Sequence, residues 1–182
     1  GDYLLLTKPL GVGILSTAGK RGHLKEEHRT ALITQLSTLN SIGGILGEVK
    51  GVNAMTDVTG FGLLGHAMQM ASGSGLTAEI SYAGLPVAEG VRDYIAQKIF
   101  PDATTRNWNS YSAQVKFEKG VNVMEAFTLL PDPQTNGGLL ISVSPSALPE
   151  VQAILKANGL EAFASPIGQM KAAADKSVII TP

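Results

Sequence analysis

Cysteine is absent from the 182 residues, which excludes disulfides, thiolate metal sites and cysteine nucleophiles within the chain. Charge is sparse as well. Only 16% of the residues are charged against 44% apolar, and 14 basic side chains face 15 acidic ones. That near-balance leaves no electrostatic footprint for nucleic acid or an anionic membrane, and it favours a small-molecule role. No apolar run reaches the roughly 18 residues that span a bilayer, and Gly1 to Lys8 carries neither a basic leader nor a cleavage signal. A soluble, intracellular protein is expected. The length suits one well-buried domain, and no internal repeat of 20 to 50 residues is present. Because the chain opens inside an apparent strand, it is expected to be part of a longer protein.

What is present alternates between two periods. Tyr3 to Thr7 is an apolar run closed by Lys8-Pro9, the length of a buried strand. Leu24 to Gly47 reads as helix, with Ala31, Leu32, Leu36, Leu39 and Ile42 at three- and four-residue steps and Gly43-Gly44 bending or ending it. A strand over Asn53 to Val58 runs into a helix over Gly60 to Ser72, closed by Gly73-Ser74-Gly75. Leu76 to Tyr82 alternates as a strand, and Val87 to Lys98 follows Pro86 as an amphipathic helix. Phe100 to Ser112 is polar and aperiodic, which predicts a long loop. Further on, the pattern predicts a strand over Ala113 to Lys119 and a short helix over Val121 to Leu130, broken by Pro131-Asp132-Pro133. Leu139 to Val143 is the clearest late strand, followed by a helix over Leu148 to Asn158 and strands over Ala162 to Ile167 and Ser177 to Ile180. Irregular alternation of this kind predicts an α+β fold, a mixed sheet with helices packed on it.

The densest functional text is Met55-Thr56-Asp57-Val58-Thr59-Gly60-Phe61-Gly62-Leu63-Leu64-Gly65-His66. Gly60, Gly62 and Gly65 match the spacing of a dinucleotide-binding loop, and Glu79 stands 19 residues beyond Gly60, so an NAD-binding module is one reading. Asp57 argues against it, because a carboxylate beside pyrophosphate repels it. A divalent cation between them removes the conflict, since Mg²⁺ is held by one or two carboxylates together with phosphate oxygens and water. Asp57 is then a metal ligand, and the helix that follows offers free amides to phosphate. Each residue also has a plainer reading. Asp57 and Thr59 suit helix or turn caps, the glycines suit tight packing, and His66 is either a packed histidine or a catalytic one.

This segment resembles the signature of the selenophosphate synthetases. Leu6-Thr7-Lys8-Pro9-Leu10-Gly11-Val12-Gly13 resembles that family's lead-in to its C-terminal domain, and Asp132-Pro133-Gln134-Thr135-Asn136-Gly137-Gly138-Leu139-Leu140 its late glycine loop. Aminoimidazole ribonucleotide synthetase, thiamine monophosphate kinase and a hydrogenase maturation factor share the fold, but Phe61 and the Gly65-His66 pair favour the selenium enzyme. The resemblance implies a single C-terminal domain over residues 1–182, an aminoimidazole ribonucleotide synthetase C-terminal-domain-like sandwich. It further implies an enzyme making selenophosphate from selenide, ATP and water, with release of AMP and phosphate, in the cytoplasm. The ATP-binding N-terminal half would carry the catalytic lysine, the cysteine or selenocysteine and most magnesium-binding aspartates, and the full-length protein is expected to be a homodimer.

By the same resemblance Asp57 is the single metal ligand this half contributes, to Mg²⁺ bound with ATP. No catalytic residue lies in the chain, which is expected to be inactive alone. Thr59, Gly60, Gly62, Thr104, Arg106, Asn107, Gln134, Thr135, Gly137 and Gly138 are candidates for lining the phosphate and substrate cleft. Pro101 to Trp108 departs from the family pattern at Asp102 and Ala103, where a glycine pair is common, and Asn136 stands where serine is common. A solvated loop at 104–107 and a simple turn at 134–138 are the plain alternatives. A non-catalytic interaction domain is a further reading of the whole chain.

Overall fold

The computed structural model describes all 182 residues, Gly1 to Pro182. Seven strands form one sheet: β1 (Tyr3–Leu6), β2 (Val52–Asp57), β3 (Leu76–Ser81), β4 (Val115–Phe117), β5 (Leu139–Val143), β6 (Gly168–Ala172) and β7 (Val178–Thr181), in the spatial order β2-β5-β1-β6-β3-β7-β4. Pairing is antiparallel from β2 across to β3 and parallel for β3 with β7 and β7 with β4. The sheet is therefore mixed and the fold α+β, as the sequence pattern predicts. No helix is long and apolar enough to cross a membrane.

The apolar runs are explained by burial on both faces. In β1, Leu4 and Leu6 join the larger core while Leu5 joins a smaller one behind the sheet; in β5, Leu140 faces the larger core and Leu139, Ile141 and Val143 the smaller. The larger core is covered by α1 (Val12–Lys20), α2 (Glu26–Ser37), α4 (Gly62–Gly73), α5 (Val91–Ala96), α6 (Asp102–Tyr111) and α7 (Val123–Leu129). The smaller is covered by α3 (Ile42–Leu46) and α8 (Leu148–Ala157). β2 lies at the edge of the sheet, so Asp57 ends an edge strand and is exposed.

Four expectations are corrected. Phe100 to Ser112 is not a long loop: α6 occupies Asp102–Tyr111. Its buried face is Thr104, Asn107, Trp108 and Tyr111, which has helical spacing but is half polar, so a hydrophobicity period hides it. The helix expected over Leu24 to Gly47 is two, and the break falls at Thr38–Ser41 rather than at Gly43-Gly44, which lie inside α3. α5 begins at Val91 rather than Val87, because Val87 forms a parallel bridge with Leu10. The strand expected over Ala162 to Ile167 is displaced to Gly168–Ala172, after a 3₁₀ turn at Glu161–Phe163. Only Met170 of β6 is fully buried, and the strand forms because β1 and β3 pair with it from both sides.

Candidate functional site

Two loops meet at the end of the sheet where β1 and β2 stop. The chain leaves β2 at Asp57, turns through Thr59 and Gly60, and enters α4 at Gly62. The late loop, Pro131 to Gly138, arrives from α7 and enters β5. They are joined backbone to backbone: Val58 N–H donates to Gly138 O at 2.8 Å, and Gln134 N–H donates to Thr59 O at 3.0 Å. Close approach demands glycine at several points, Gly138 against Lys8 N among them. Gly62 has φ +69°, and a Cβ there would stand 2.7 Å from Leu130 O. A Cβ on Gly137 would collide with Val58 O. Gly60 has no such constraint: nothing lies within 4 Å of its Cβ position.

The late loop also ends two helices that it does not belong to. Gln134 Oε1 accepts from Gly11 N–H at 3.2 Å and Val12 N–H at 3.1 Å, and Asp132 Oδ2 accepts from Gly13 N–H at 3.1 Å and Ile14 N–H at 3.4 Å. These are the orphan donors at the start of α1. At the opposite polarity, Asn136 Nδ2 donates to Leu36 O at 2.9 Å and Thr38 O at 2.8 Å, and Lys8 Nζ donates to Thr38 O at 2.7 Å. These carbonyls close α2, where donors and positive charge are favourable. Burial lowers the pKa of Lys8. Burial also pushes the carboxyl of Asp132, fully enclosed, up to about 8 against the opposing pull of its hydrogen bonds from Gln134, Ile14 and Gly13.

Among the sequence-predicted cleft residues, Thr59, Gly60, Gly62, Asn107, Gln134, Gly137 and Gly138 meet at this junction. Asn107 reaches it from α6, donating to Gly60 O at 2.8 Å and Pro131 O at 2.9 Å. Gln134 is buried in its capping role, and Gly137 and Gly138 pack against Val58 and Lys8. The other three are not gathered there by any contact. Thr104 is wholly buried in α6 with its hydroxyl unpartnered, Arg106 is exposed without an ion pair, and Thr135 is exposed. Sequence reasoning missed the roles of Asp132, Lys8 and Asn136. A charged residue between two prolines after an apolar helix was the available signal for Asp132.

At the exposed mouth, the Asp57 side chain makes no hydrogen bond or ion pair within the protein, and the backbone N–H groups of Gly60 and Phe61 are likewise unpartnered. A free carboxylate is thus followed, three and four residues on, by two free amides. The chain holds no group of three or more His, Cys, Asp or Glu able to enclose a metal, so Asp57 can supply only one of the oxygen ligands that a Mg²⁺ ion takes. The dinucleotide reading of Gly60, Gly62, Gly65 and Glu79 is corrected. β2 and β3 are separated by β5, β1 and β6, roughly 19 Å at ordinary strand spacing, so Glu79 is not on the neighbouring strand that this fingerprint requires. Gly65 instead packs, its Cβ position lying 2.6 Å from Phe61 Cβ.

A family model described as AIR synthase related protein, C-terminal domain, matches residues 1–181. The chain is 45% identical over 172 residues to a protein named "Selenide, water dikinase" from Aeromonas salmonicida, covering 94% of this chain and 48% of that protein. It is 41% identical over 180 residues to another of that name from Haemophilus influenzae, covering 99% and 50%. The chain thus spans about half the length of the curated relatives it matches. In fold it is similar to the hydrogenase maturation protein HypE of E. coli, with a TM-score of 0.68 at 23% identity over 99% of this chain and 46% of that one.

Proposed function

The chain belongs to the AIR synthase related protein family through its C-terminal domain, and we propose that it is the C-terminal half of an enzyme making selenophosphate from selenide, ATP and water. AMP and phosphate are the other products. The observation that carries this reading is the identity of 41% to 45%, over nearly the whole chain, with proteins named for that activity. The site geometry supports the chain's share in it: a free carboxylate at the end of β2 and free amides in the turn that follows, pinned by a second loop.

Asp57 contributes one oxygen to Mg²⁺ held with ATP, and the amides of Gly60 and Phe61 take phosphate oxygens. When bound, the ion neutralises charge on the phosphates. Thr59 and Asn107 fix the turn that carries those amides. Phosphoryl transfer depends mainly on positioning and electrostatics, so one well-held carboxylate and a rigid turn are a complete contribution from this half. The nucleotide and the remaining metal ligands belong to the other half of the relatives' length, and the whole protein works as a cytoplasmic homodimer.

The test uses a protein carrying this domain together with that other half, with selenide-dependent AMP release followed by ³¹P NMR. Asp57→Ala should lower the rate by about a hundredfold or more, and the 182-residue chain alone should release no AMP. Wild-type turnover by Asp57→Ala, or selenide-dependent turnover by the chain alone, overturns the reading.

A further inference from the structure

Thr59 turns the chain from β2 toward α4, and the peptides on both sides of it are held. Its carbonyl accepts from Gln134 N–H and Gly62 N–H, each at 3.0 Å. On the other side, its own N–H donates to His66 Nε2 at 3.1 Å, and its hydroxyl lies 3.2 Å from the same nitrogen. Val58, immediately before it, is fully buried and tied to Gly138.

A backbone N–H can only donate, so Nε2 must present a lone pair, and the neutral ring then carries its proton on Nδ1. Nδ1 has no hydrogen-bond partner in the protein, and His66 is 7% exposed. An enclosed N–H without an acceptor carries a desolvation cost that an apolar ring of similar size would not. Packing therefore gives no reason for a histidine here. The acceptor does: it is one helical turn into α4, aimed back at the turn that α4 follows.

We propose that His66 is a positioning residue, the bare Nε2 of its Nδ1–H tautomer fixing the Thr59 N–H and so the turn that carries the Gly60 and Phe61 amides after Asp57. That these amides serve phosphate rests on the function proposed above; the tautomer and the hold on Thr59 do not.

The 182-residue chain itself is the sample. Long-range ¹H–¹⁵N correlation should show His66 protonated at Nδ1 and bare at Nε2, and the Thr59 amide should be protected from hydrogen exchange. His66→Phe keeps the ring but removes the acceptor, and should speed Thr59 exchange by about tenfold. His66→Gln places an amide oxygen near the Nε2 position, and should hold Thr59 exchange within about threefold of wild type. If His66→Phe does not fold, the wild-type tautomer and the glutamine variant decide the matter. An Nε2–H tautomer overturns the proposal, as does Thr59 exchange unchanged in the phenylalanine variant or unrescued by glutamine. Asp57→Asn, run alongside, should leave Thr59 exchange unaltered. Loss of Mg²⁺-dependent AMP release on Asp57→Asn in a protein that also carries the other half is the separate test of the metal reading, and its failure would leave the role of His66 standing.

Discussion

Gln134 Oε1 lies 3.1 Å from the backbone nitrogen of Val12, so the start of a helix near the beginning of the chain is completed by a side chain 122 residues later. The same loop completes the end of α2 through Asn136. The late glycine loop is thus a brace whose polar side chains close two helices, while its backbone holds the turn that follows Asp57. This arrangement leads to four expectations.

Alanine should separate the two glycines of the turn. Gly62→Ala puts a side chain at φ +69° against Leu130 O and Pro131, and should cost about 2–4 kcal/mol in urea denaturation. Gly60→Ala enters open space and should stay within about 1 kcal/mol of wild type. Equal midpoints for the two variants would refute the geometry.

Asp132→Ala uncaps α1 and should cost about 1–3 kcal/mol. The pH dependence has a definite sign. Burial pushes the folded-state carboxyl up to about 8 from its ordinary 3.8, so between those values the folded state binds more protons than the unfolded one. Stability from this group is complete below the lower value and is lost as pH rises toward the upper. Asp132→Asn, which keeps an acceptor without the charge, should lack that slope. Urea midpoints across this range that run parallel in wild type and Asp132→Asn would rule it out.

Asn136→Ala removes the side-chain donor to the Leu36 carbonyl and leaves that of Thr38 to Lys8 Nζ alone. A loss of about 1–2 kcal/mol is expected, with faster amide exchange concentrated in the last turn of α2 and in 38–41. Exchange that accelerates evenly over the whole chain would instead indicate a general loss of packing.

Burial lowers the pKa of His66, partly offset by the Asp57 charge. The unfolded state therefore binds more protons just below the ordinary value of 6.5, and this contribution to stability, present above that value, is lost as pH falls through the folded-state pKa. His66→Gln should flatten the acid side of a melting-temperature profile relative to wild type. An unchanged acid limb would count against a buried neutral ring.

The sequence was most legible where burial is uniform. Leu139–Val143 matches its expected bounds because apolar residues on both faces of a central strand leave no ambiguity of type or length. Asp57 and its glycines were legible as a motif, since the local chemistry of a carboxylate before a glycine turn does not depend on the rest of the fold. α6 was not legible, because the face it buries includes Thr104 and Asn107, whose partners or packing come from elsewhere. α1 gave little signal for the same reason: its opening glycines are poor helix formers, and the groups that complete its start, Asp132 and Gln134, are more than 100 residues away.

The sequence by itself determined the alternation of periods, the strongly apolar central strands and the motif around Asp57, all of which are properties of neighbouring residues. Tertiary structure decided which polar residues were structural. Gln134 became a buried cap, Glu79 was placed far from the glycine turn, and His66 was turned back onto Thr59. A hydrogen bond requires a partner within about 3 Å and in line, and for each of these side chains only the folding of distant segments settles which partner is within reach.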